Sequence, residues 1–310
     1  MIFESAVRLC ASLVGATCLT IAAQAQTVTL DLERTPSGYF VAPVYLGDEG
    51  SYPFAPDTGA SHAAIALPLA ERHGFVSTGQ NLDPVQTLTA EVRAERHVLV
   101  DLRLGPILLG GVDAVVTPID DAVAPELYGL LGSNAFTGQS VSIDYTGQSL
   151  TLNAPPPRHA DARLDSRRQV LVGHAEARWV GEPIAVLIDT GSPVTLVNRA
   201  LARRLSQHTP MRVMNVGSVS RLAGAVETED RVVLNRFQLG GLCLRGISVD
   251  EAELDVFRAM GWQDRPAMIV GLDLLQDTRL TIDYNSGAAQ IDPGPAAWRC
   301  PGGRRSQLSP

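Results

Sequence analysis

The residues with the clearest chemical meaning are two copies of Asp-Thr-Gly, Asp57–Gly59 and Asp189–Gly191. Each copy follows a short apolar stretch, Tyr52–Ala55 in the first case and Ile184–Ile188 in the second. Two carboxylates held side by side cannot both ionise easily, so such a pair releases its protons in two separate steps. The singly protonated pair contains a base that can activate water and an acid that can protonate a substrate carbonyl. This chemistry needs no metal, no cofactor and no covalent enzyme intermediate.

The repeat continues beyond the two tripeptides. A second apolar stretch and a short helical pattern follow each copy, and later elements recur in the same order: Leu130-Leu131-Gly132 and Ile269-Val270-Gly271, then Asp144-Tyr145 and Asp283-Tyr284. Asp-Tyr follows 12 residues after the glycine in both cases. The alternative, two unrelated strand-to-turn junctions, leaves this matched order unexplained. We therefore interpret the chain as two duplicated halves that each supply one carboxylate to a two-fold axis.

The neighbours of the aspartates suit a pair of facing loops. Gly59 and Gly191 lack a Cβ, so backbone amides can approach the carboxylates closely. Thr58 and Thr190 can hydrogen-bond across the two-fold axis and fix the turns. We interpret these four residues as support for the catalytic loops.

The residue after each glycine differs between the halves. Ser192 can donate a hydrogen bond to the outer oxygen of Asp189, which would favour the ionised carboxylate, whereas the first half has Ala60 at this position. The difference predicts that Asp189 is the ionised partner and that Asp57 is the acid.

Composition limits the class of protein. A chain of 310 residues can hold two domains of ordinary size. The formal net charge of −8 argues against a nucleic-acid partner, because no basic stripe is present to neutralise phosphates. Short β-branched and apolar runs alternate with Gly, Pro, Asp and Asn turns, a pattern that predicts a mostly-β chain. The best helical pattern is Glu251–Met260, with Asp250 as N-cap, and Gly110-Gly111 and Gly240-Gly241 are predicted hairpin turns.

Charge and proline content divide the chain into five segments. Arg8, an apolar run from Leu9 to Ala23 and the small residues Ala23 and Ala25 predict a signal peptide over 1–25 and export to the periplasm or the exterior. No membrane span remains after cleavage, although an uncleaved anchor stays an alternative. The proline run that begins at Pro155 predicts a linker over 155–166 between lobes at 26–154 and 167–293, and 294–310 forms a tail.

Two cysteines, Cys243 and Cys300, remain after the predicted cleavage. In an oxidising compartment they can form a disulfide that ties the tail to the second lobe, and two unpaired thiols are the alternative. The chain has no Cys-x-x-Cys or His-x-x-x-His spacing. A metal site is therefore not expected.

The motifs resemble those of retropepsin-like aspartic proteases in a fused, two-lobed form. The resemblance is carried by both Asp-Thr-Gly motifs, the hydrophobic-hydrophobic-Gly elements and the Leu-Ala-x-x pattern after each motif, and it spans about Tyr39 to Ile291. It implies an all-β, two-lobed acid-protease-like fold with a cleft between the lobes. It also implies an endopeptidase in which Asp57 and Asp189 hold a water and peptide or protein substrates bind extended under hairpin flaps. Because one chain supplies both aspartates, we expect an active monomer.

The flaps show where this chain departs from the family pattern. Ala223 and Gly224 mark the second-lobe flap, whereas the first-lobe counterpart at Leu88–Arg93 has no glycine. Pro56 stands directly before Asp57 in place of the usual apolar residue. These departures, together with Ala60, favour an alternative function, a catalytically inactive peptide- or protein-binding module of the same fold, whereas the two intact Asp-Thr-Gly motifs count against it. A third hypothesis is a single-substrate processing enzyme in which the acidic insertion over 250–265 gates the cleft.

Overall fold

The computed structural model describes residues 26–75, 82–117, 124–208, 213–221 and 224–294, and only the backbone of 213–221 and 224–225. The predicted signal peptide, Ala223 and Cys300 lie outside these ranges. The fold is mostly β in two lobes, as the sequence predicts.

The first lobe contains eleven of the described strands, one α-helix and a 3-10 helix. In chain order these are β1 (Val28–Asp31), β2 (Glu33–Arg34), β3 (Phe40–Leu46), β4 (Ser51–Pro56), β5 (Ala63–Ala66), α1 (Leu67–Arg72), β6 (Leu82–Gln86), β7 (Glu91–Leu104), β8 (Ile107–Thr117), β9 (Gly129–Leu131), the 3-10 helix (Ser133–Phe136), β10 (Ser140–Asp144) and β11 (Ser149–Leu152).

The second lobe repeats this order. Its elements are β12 (Ala162–Leu164), β13 (Leu171–Ala175), β14 (Ile184–Ile188), β15 (Leu196–Val197), α2 (Arg199–Ser206), β16 (Val213–Arg221), β17 (Gly224–Leu234), β18 (Phe237–Leu239), β19 (Leu242–Leu244), β20 (Ile247–Glu251), α3 (Asp255–Ala259), β21 (Ala267–Val270), α4 (Leu272–Leu275), β22 (Thr278–Asp283) and β23 (Ala288–Pro293).

Parallel pairing brings the two repeated motifs of each lobe together. Strand β4, which leads to the first aspartate, pairs with β9, and β14, which leads to the second, pairs with β21. Strands β14 and β21 are buried along their whole length, which explains their continuous apolar sequence. The glycines after β9 and β21 are required by close packing, because a Cβ on Gly132 would lie 2.3 Å from the His62 oxygen and one on Gly271 would lie 2.5 Å from the Val194 oxygen.

Strands of both lobes join in one sheet beneath the loops, in the order β1-β11-β10-β22-β23-β12. The central antiparallel pair, β10 and β22, places Ser142 opposite Thr281, with 3.1 Å between the two hydroxyl oxygens. Matching bonds lie on each side: the Tyr145 amide donates to the Thr278 carbonyl, and the Tyr284 amide donates to the Gln139 carbonyl. The axis of the duplication therefore passes through the centre of this sheet.

Three local predictions differ from the structure. Strand β12 lies within the predicted linker and pairs with β23 and β13, because Ala162 and Leu164 bury their side chains there. The predicted helix over 251–260 is shorter, since Glu251 belongs to β20 and Leu254, not Asp250, is the N-cap of α3. Gly110-Gly111 does not turn a hairpin but lies within β8, next to a register shift, whereas Gly240-Gly241 does connect β18 and β19.

Candidate active site

Both aspartates lie where a buried strand ends at the junction of the lobes. The Asp57 amide donates to the Leu131 carbonyl at 2.9 Å, and the Asp189 amide donates to the Val270 carbonyl at 3.0 Å. The apolar elements before Gly132 and Gly271 thus hold the backbone of each aspartate. The two side chains are nearly buried, with exposures of 8% for Asp57 and 3% for Asp189.

The glycine that follows each aspartate shows that the two carboxylates face each other. The Gly59 amide donates to Asp57 Oδ1 at 2.8 Å, and the Gly191 amide donates to Asp189 Oδ1 at 2.9 Å. A Cβ built on Gly59 would lie 2.7 Å from Asp189 Cγ, and one built on Gly191 would lie 2.3 Å from Asp57 Oδ2. Each carboxylate therefore packs against the glycine of the opposite loop, and both loops need glycine for this contact.

The two threonines form a reciprocal network between the loops. The Thr58 amide donates to Thr190 Oγ1 at 3.1 Å, and the Thr190 amide donates to Thr58 Oγ1 at 3.2 Å. Each hydroxyl in turn donates to the opposite strand, Thr58 to the Ile188 carbonyl and Thr190 to the Pro56 carbonyl, both at 2.6 Å. This mutual bonding fixes the separation and orientation of the loops. It is the cross-axis bonding that the repeated threonines predict.

Burial and like charge control the protonation of the pair. Burial raises the pKa of the Asp57 carboxyl well above its ordinary range, and the neighbouring Asp189 raises it further. The hydrogen bond from the Gly59 amide opposes this shift of the Asp57 pKa, because it stabilises the ionised form. A buried pair of this kind retains one proton when isolated carboxyls would have lost theirs.

The Ser192 hydroxyl is buried and donates to the Val194 carbonyl at 2.7 Å. The sequence interpretation assigned this donation to Asp189 instead. A hydroxyl carries one proton and can donate to one acceptor at a time. The assignment of Ser192 to the ionisation of Asp189 stays a prediction.

A second layer of polar side chains behind the loops was not found from the sequence. In the second lobe the Thr195 hydroxyl donates to Asp273 Oδ1 at 2.6 Å and accepts the Gly271 amide at 3.0 Å. In the first lobe the Ala63 amide donates to Asn134 Oδ1 at 2.8 Å. Their matching positions in the repeat could have indicated them, because Asn134 and Asp273 each lie two residues after the glycine of the hydrophobic-hydrophobic-Gly element.

The tyrosines of the repeated Asp-Tyr pairs lie beneath the loops. Burial raises the pKa of both the Tyr145 and Tyr284 phenols above their usual range, and the charge of Asp57 raises both further. The Tyr145 ring lines a small internal space with Pro56 and Thr190, directly under the loop junction. Neutral phenols therefore form part of the floor of the site.

The flap predictions fall on hairpins. Strands β6 and β7 form the first-lobe hairpin, whose tip at Thr87–Ala90 overlaps the predicted Leu88–Arg93. Strands β16 and β17 form the second, with Arg221 paired to Gly224, while Ala223 lies outside the described residues. Cys243 is buried and disulfide-bonded, but its predicted partner Cys300 also lies outside the described residues, so that pairing stays a prediction.

Comparison with known protein families agrees with this geometry. The sequence model of the family described as "Aspartyl protease" matches two segments, 42–135 and 175–274, one in each lobe. The chain belongs to the aspartyl protease family. Peptide substrates are implied by this family membership. No curated protein matches the sequence at a significant level.

Within the ranges that the structure describes, no helix is long and apolar enough to span a membrane. Over the same ranges, no group of three or more His, Cys, Asp and Glu side chains is arranged to hold a metal ion.

Proposed function

We propose that this member of the aspartyl protease family is an aspartic endopeptidase that hydrolyses peptide bonds with a water activated between Asp57 and Asp189. The observation that carries the proposal is the reciprocal packing of each carboxylate against the glycine of the opposite loop. Such packing brings the two carboxylates close together, and we expect one water to contact both. The interlobe threonine network supports the same arrangement, because it holds the loops in register.

We take Asp57 as the acid, because burial and the neighbouring Asp189 both raise the pKa of its carboxyl. In the proposed reaction the ionised Asp189 takes a proton from the water, whose oxygen attacks the scissile carbonyl carbon. Asp57 gives its proton to the carbonyl oxygen, which produces a neutral tetrahedral intermediate. Asp189 then donates its proton to the amide nitrogen while Asp57 takes a proton from a hydroxyl of the intermediate. The C–N bond breaks, a carboxylic acid and an amine leave, and the pair is again singly protonated.

The inactive binding module is the weaker hypothesis on structural grounds. Proline lacks a backbone N–H but keeps its carbonyl oxygen. The Pro56 carbonyl accepts the Thr190 hydroxyl at 2.6 Å, as the Ile188 carbonyl accepts the Thr58 hydroxyl. Ala60 also keeps the loop closed, since its amide donates to the Asp57 carbonyl as the Ser192 amide donates to that of Asp189. Neither departure disturbs the facing carboxylates.

The test is digestion of a peptide library by purified protein at several pH values, in water enriched with oxygen-18. We expect internal cleavage and one oxygen-18 atom in each new carboxyl terminus, with no cleavage by Asp57→Asn or Asp189→Asn. Asp101→Asn is the matched control, because Asp101 is an exposed aspartate of the same lobe as Asp57 and should leave activity unchanged. Cleavage by either dyad variant at the wild-type rate would overturn the proposal.

We further propose that the protein is exported and acts as a monomer. The apolar segment 9–23 and the disulfide at Cys243 support an oxidising, non-cytosolic compartment. The presence of both aspartates in one chain supports the monomer. Mature protein that starts at Gln26 in an exported fraction, and activity that co-sediments with the monomer, are the expected results. A cytosolic protein with an intact N-terminus, or activity confined to a dimer, would contradict them.

A further inference from the structure

The tip of the first-lobe hairpin has a fixed shape although it contains no glycine. Thr87 Oγ1 accepts the Ala90 amide at 3.1 Å and donates to the Ala90 carbonyl at 2.8 Å, and the Thr87 amide donates to the same carbonyl. The threonine side chain thus closes the turn and presents Leu88 at its apex.

The apex contacts the opposite lobe. The Leu88 carbonyl accepts the amide of Val256 at 3.2 Å, and Val256 lies in the first turn of α3. First-turn amides have no partner inside a helix, and the N-cap Leu254 has no side-chain hydrogen bond to offer them. A carbonyl of the first lobe therefore caps a helix of the second lobe.

An apolar contact accompanies this hydrogen bond. Leu88 is half-buried against a cluster that includes Leu254, Val256 and Phe257. Every other described residue of that cluster belongs to the second lobe. The cluster also contains Leu187, two residues before Asp189, so Leu88 packs against the same unit that carries the second aspartate.

Helix α3 is anchored to its own lobe, whereas the hairpin has fewer attachments. Asn198, which is buried, donates from Nδ2 to the Trp262 carbonyl at 2.9 Å and the Arg265 carbonyl at 2.8 Å, and the Arg168 guanidinium donates to the Ala259 carbonyl. By contrast, β6 ends the first-lobe sheet and among the described strands pairs with β7 alone. We therefore expect the hairpin, not α3, to move if this contact opens.

We propose that α3 is a latch for the first-lobe hairpin: Leu88 docks on it in the resting protein, closes the cleft between the lobes, and must leave before a peptide can reach the aspartates. The proposal rests on the proposed peptidase function, with the hairpin as the flap of that site. It also offers a structural basis for the hypothesis that the insertion over 250–265 gates the cleft, because α3 lies within that insertion.

Hydrogen exchange tests the latch without any need for activity. In wild-type protein we expect the Val256 amide to be protected, and Leu88→Ala to speed its exchange and that of the Ala90 amide about tenfold, because the apolar contact that holds the apex is lost. Leu108→Ala, a change at an exposed leucine of the first lobe, is the matched control and should leave both rates unchanged. An unprotected Val256 amide in wild type, or unchanged rates in Leu88→Ala, would overturn the proposal.

A reversible crosslink tests the gating role. In the double variant Leu88→Cys/Val256→Cys, whose backbones already meet, oxidation should lock the hairpin and lower peptide hydrolysis at least about tenfold, and mild reduction should restore it. Wild-type protein treated in parallel controls for the disulfide at Cys243. Hydrolysis at full rate by the oxidised double variant would overturn the latch. A wild-type protein that cleaves no peptide would overturn the peptidase function, and the hydrogen-exchange experiment would then still test the contact between Leu88 and α3.

Discussion

In the first lobe the strand before the aspartate ends in Pro56 and the residue after the glycine is Ala60, whereas the second lobe has Ile188 and Ser192 at these positions. The two loops nevertheless make the same bonds across the axis. Those bonds use backbone groups and the two threonine hydroxyls. The comparison shows that the loop geometry depends on the Asp-Thr-Gly residues. The flanking positions can differ because none of these bonds across the axis uses their side chains.

The layer behind the loops differs more. The second lobe supports its loop with the Thr195 hydroxyl and the Asp273 carboxylate, while the first lobe has Ala63 and Asn134 there. The Thr195 hydroxyl adds a donation to Asp273 and an acceptor for the Gly271 amide. The lobes are thus equivalent at the carboxylates and unequal in the scaffold that holds them.

The largest expected effect comes from filling the space between the loops. Gly191→Ala and Gly59→Ala should each lower kcat/KM at least about a thousandfold, because the new Cβ would lie 2.3 Å from Asp57 Oδ2 or 2.7 Å from Asp189 Cγ and must displace that carboxylate. Gly50→Ala, with no atom within 4 Å of the added Cβ, is the control. Activity retained by one alanine variant alone would break the equivalence of the lobes.

Reduction of the disulfide should affect the second lobe without affecting the dyad. If Cys243 pairs with Cys300, the closed loop of about 57 residues contributes up to roughly 4 kcal/mol to the free energy of unfolding. We expect reduction to lower the melting temperature more than it lowers kcat. Mass spectrometry of non-reduced exported protein checks the pairing, and free thiols at both positions would contradict it.

Removal of the threonine hydroxyls tests the equivalence through stability. Thr58→Val and Thr190→Val should each lower the free energy of unfolding by about 2–4 kcal/mol, since each change leaves a buried carbonyl and a buried amide without a partner. Thr29→Val, in an exposed cross-strand pair with Thr151, should change it by less than about 0.5 kcal/mol. Denaturant unfolding gives the values, and a large difference between the two buried variants would show that the network is not reciprocal.

The smallest predicted effect is a dependence of stability on pH. Burial raises the folded-state pKa of Asp57 above its unfolded value, so the native state binds an extra proton between the two pKa values. The free energy of unfolding should therefore fall as pH rises through that window, by up to about 1.4 kcal/mol per pH unit. Asp57→Asn should flatten this slope and exposed Asp101→Asn should not. Denaturant unfolding from about pH 4 upward measures it, and equal slopes in wild type and Asp57→Asn would contradict the raised pKa.

The sequence alone indicated that the two Asp-Thr-Gly loops meet, because the duplication repeats them in order. The apolar stretch Ile184–Ile188 also matches the bounds of β14. The sequence alone did not reveal Asn134 and Asp273, whose roles depend on a turn of the chain that brings them behind the loops. The helix over 251–260 was overestimated for a similar reason.

That error has a specific cause. Residues 247–250 pair with β17, and Asp250 and Glu251 pair with β15, so sheet hydrogen bonds override the local helical pattern there. The contact between Leu88 and α3 likewise joins residues far apart in the chain, and no local pattern could reveal it.

The most direct test of the shared-water mechanism is a double-mutant cycle on the dyad. We would measure kcat/KM for one cleaved peptide with wild type, Asp57→Asn, Asp189→Asn and the double variant. If the two carboxylates act as one unit, kcat/KM should fall about a thousandfold or more in each single variant. In the double variant kcat/KM should be no lower than in the less active of the two single variants. Losses that multiply in the double variant, or a single variant that keeps a tenth of wild-type activity, would contradict a water shared by Asp57 and Asp189.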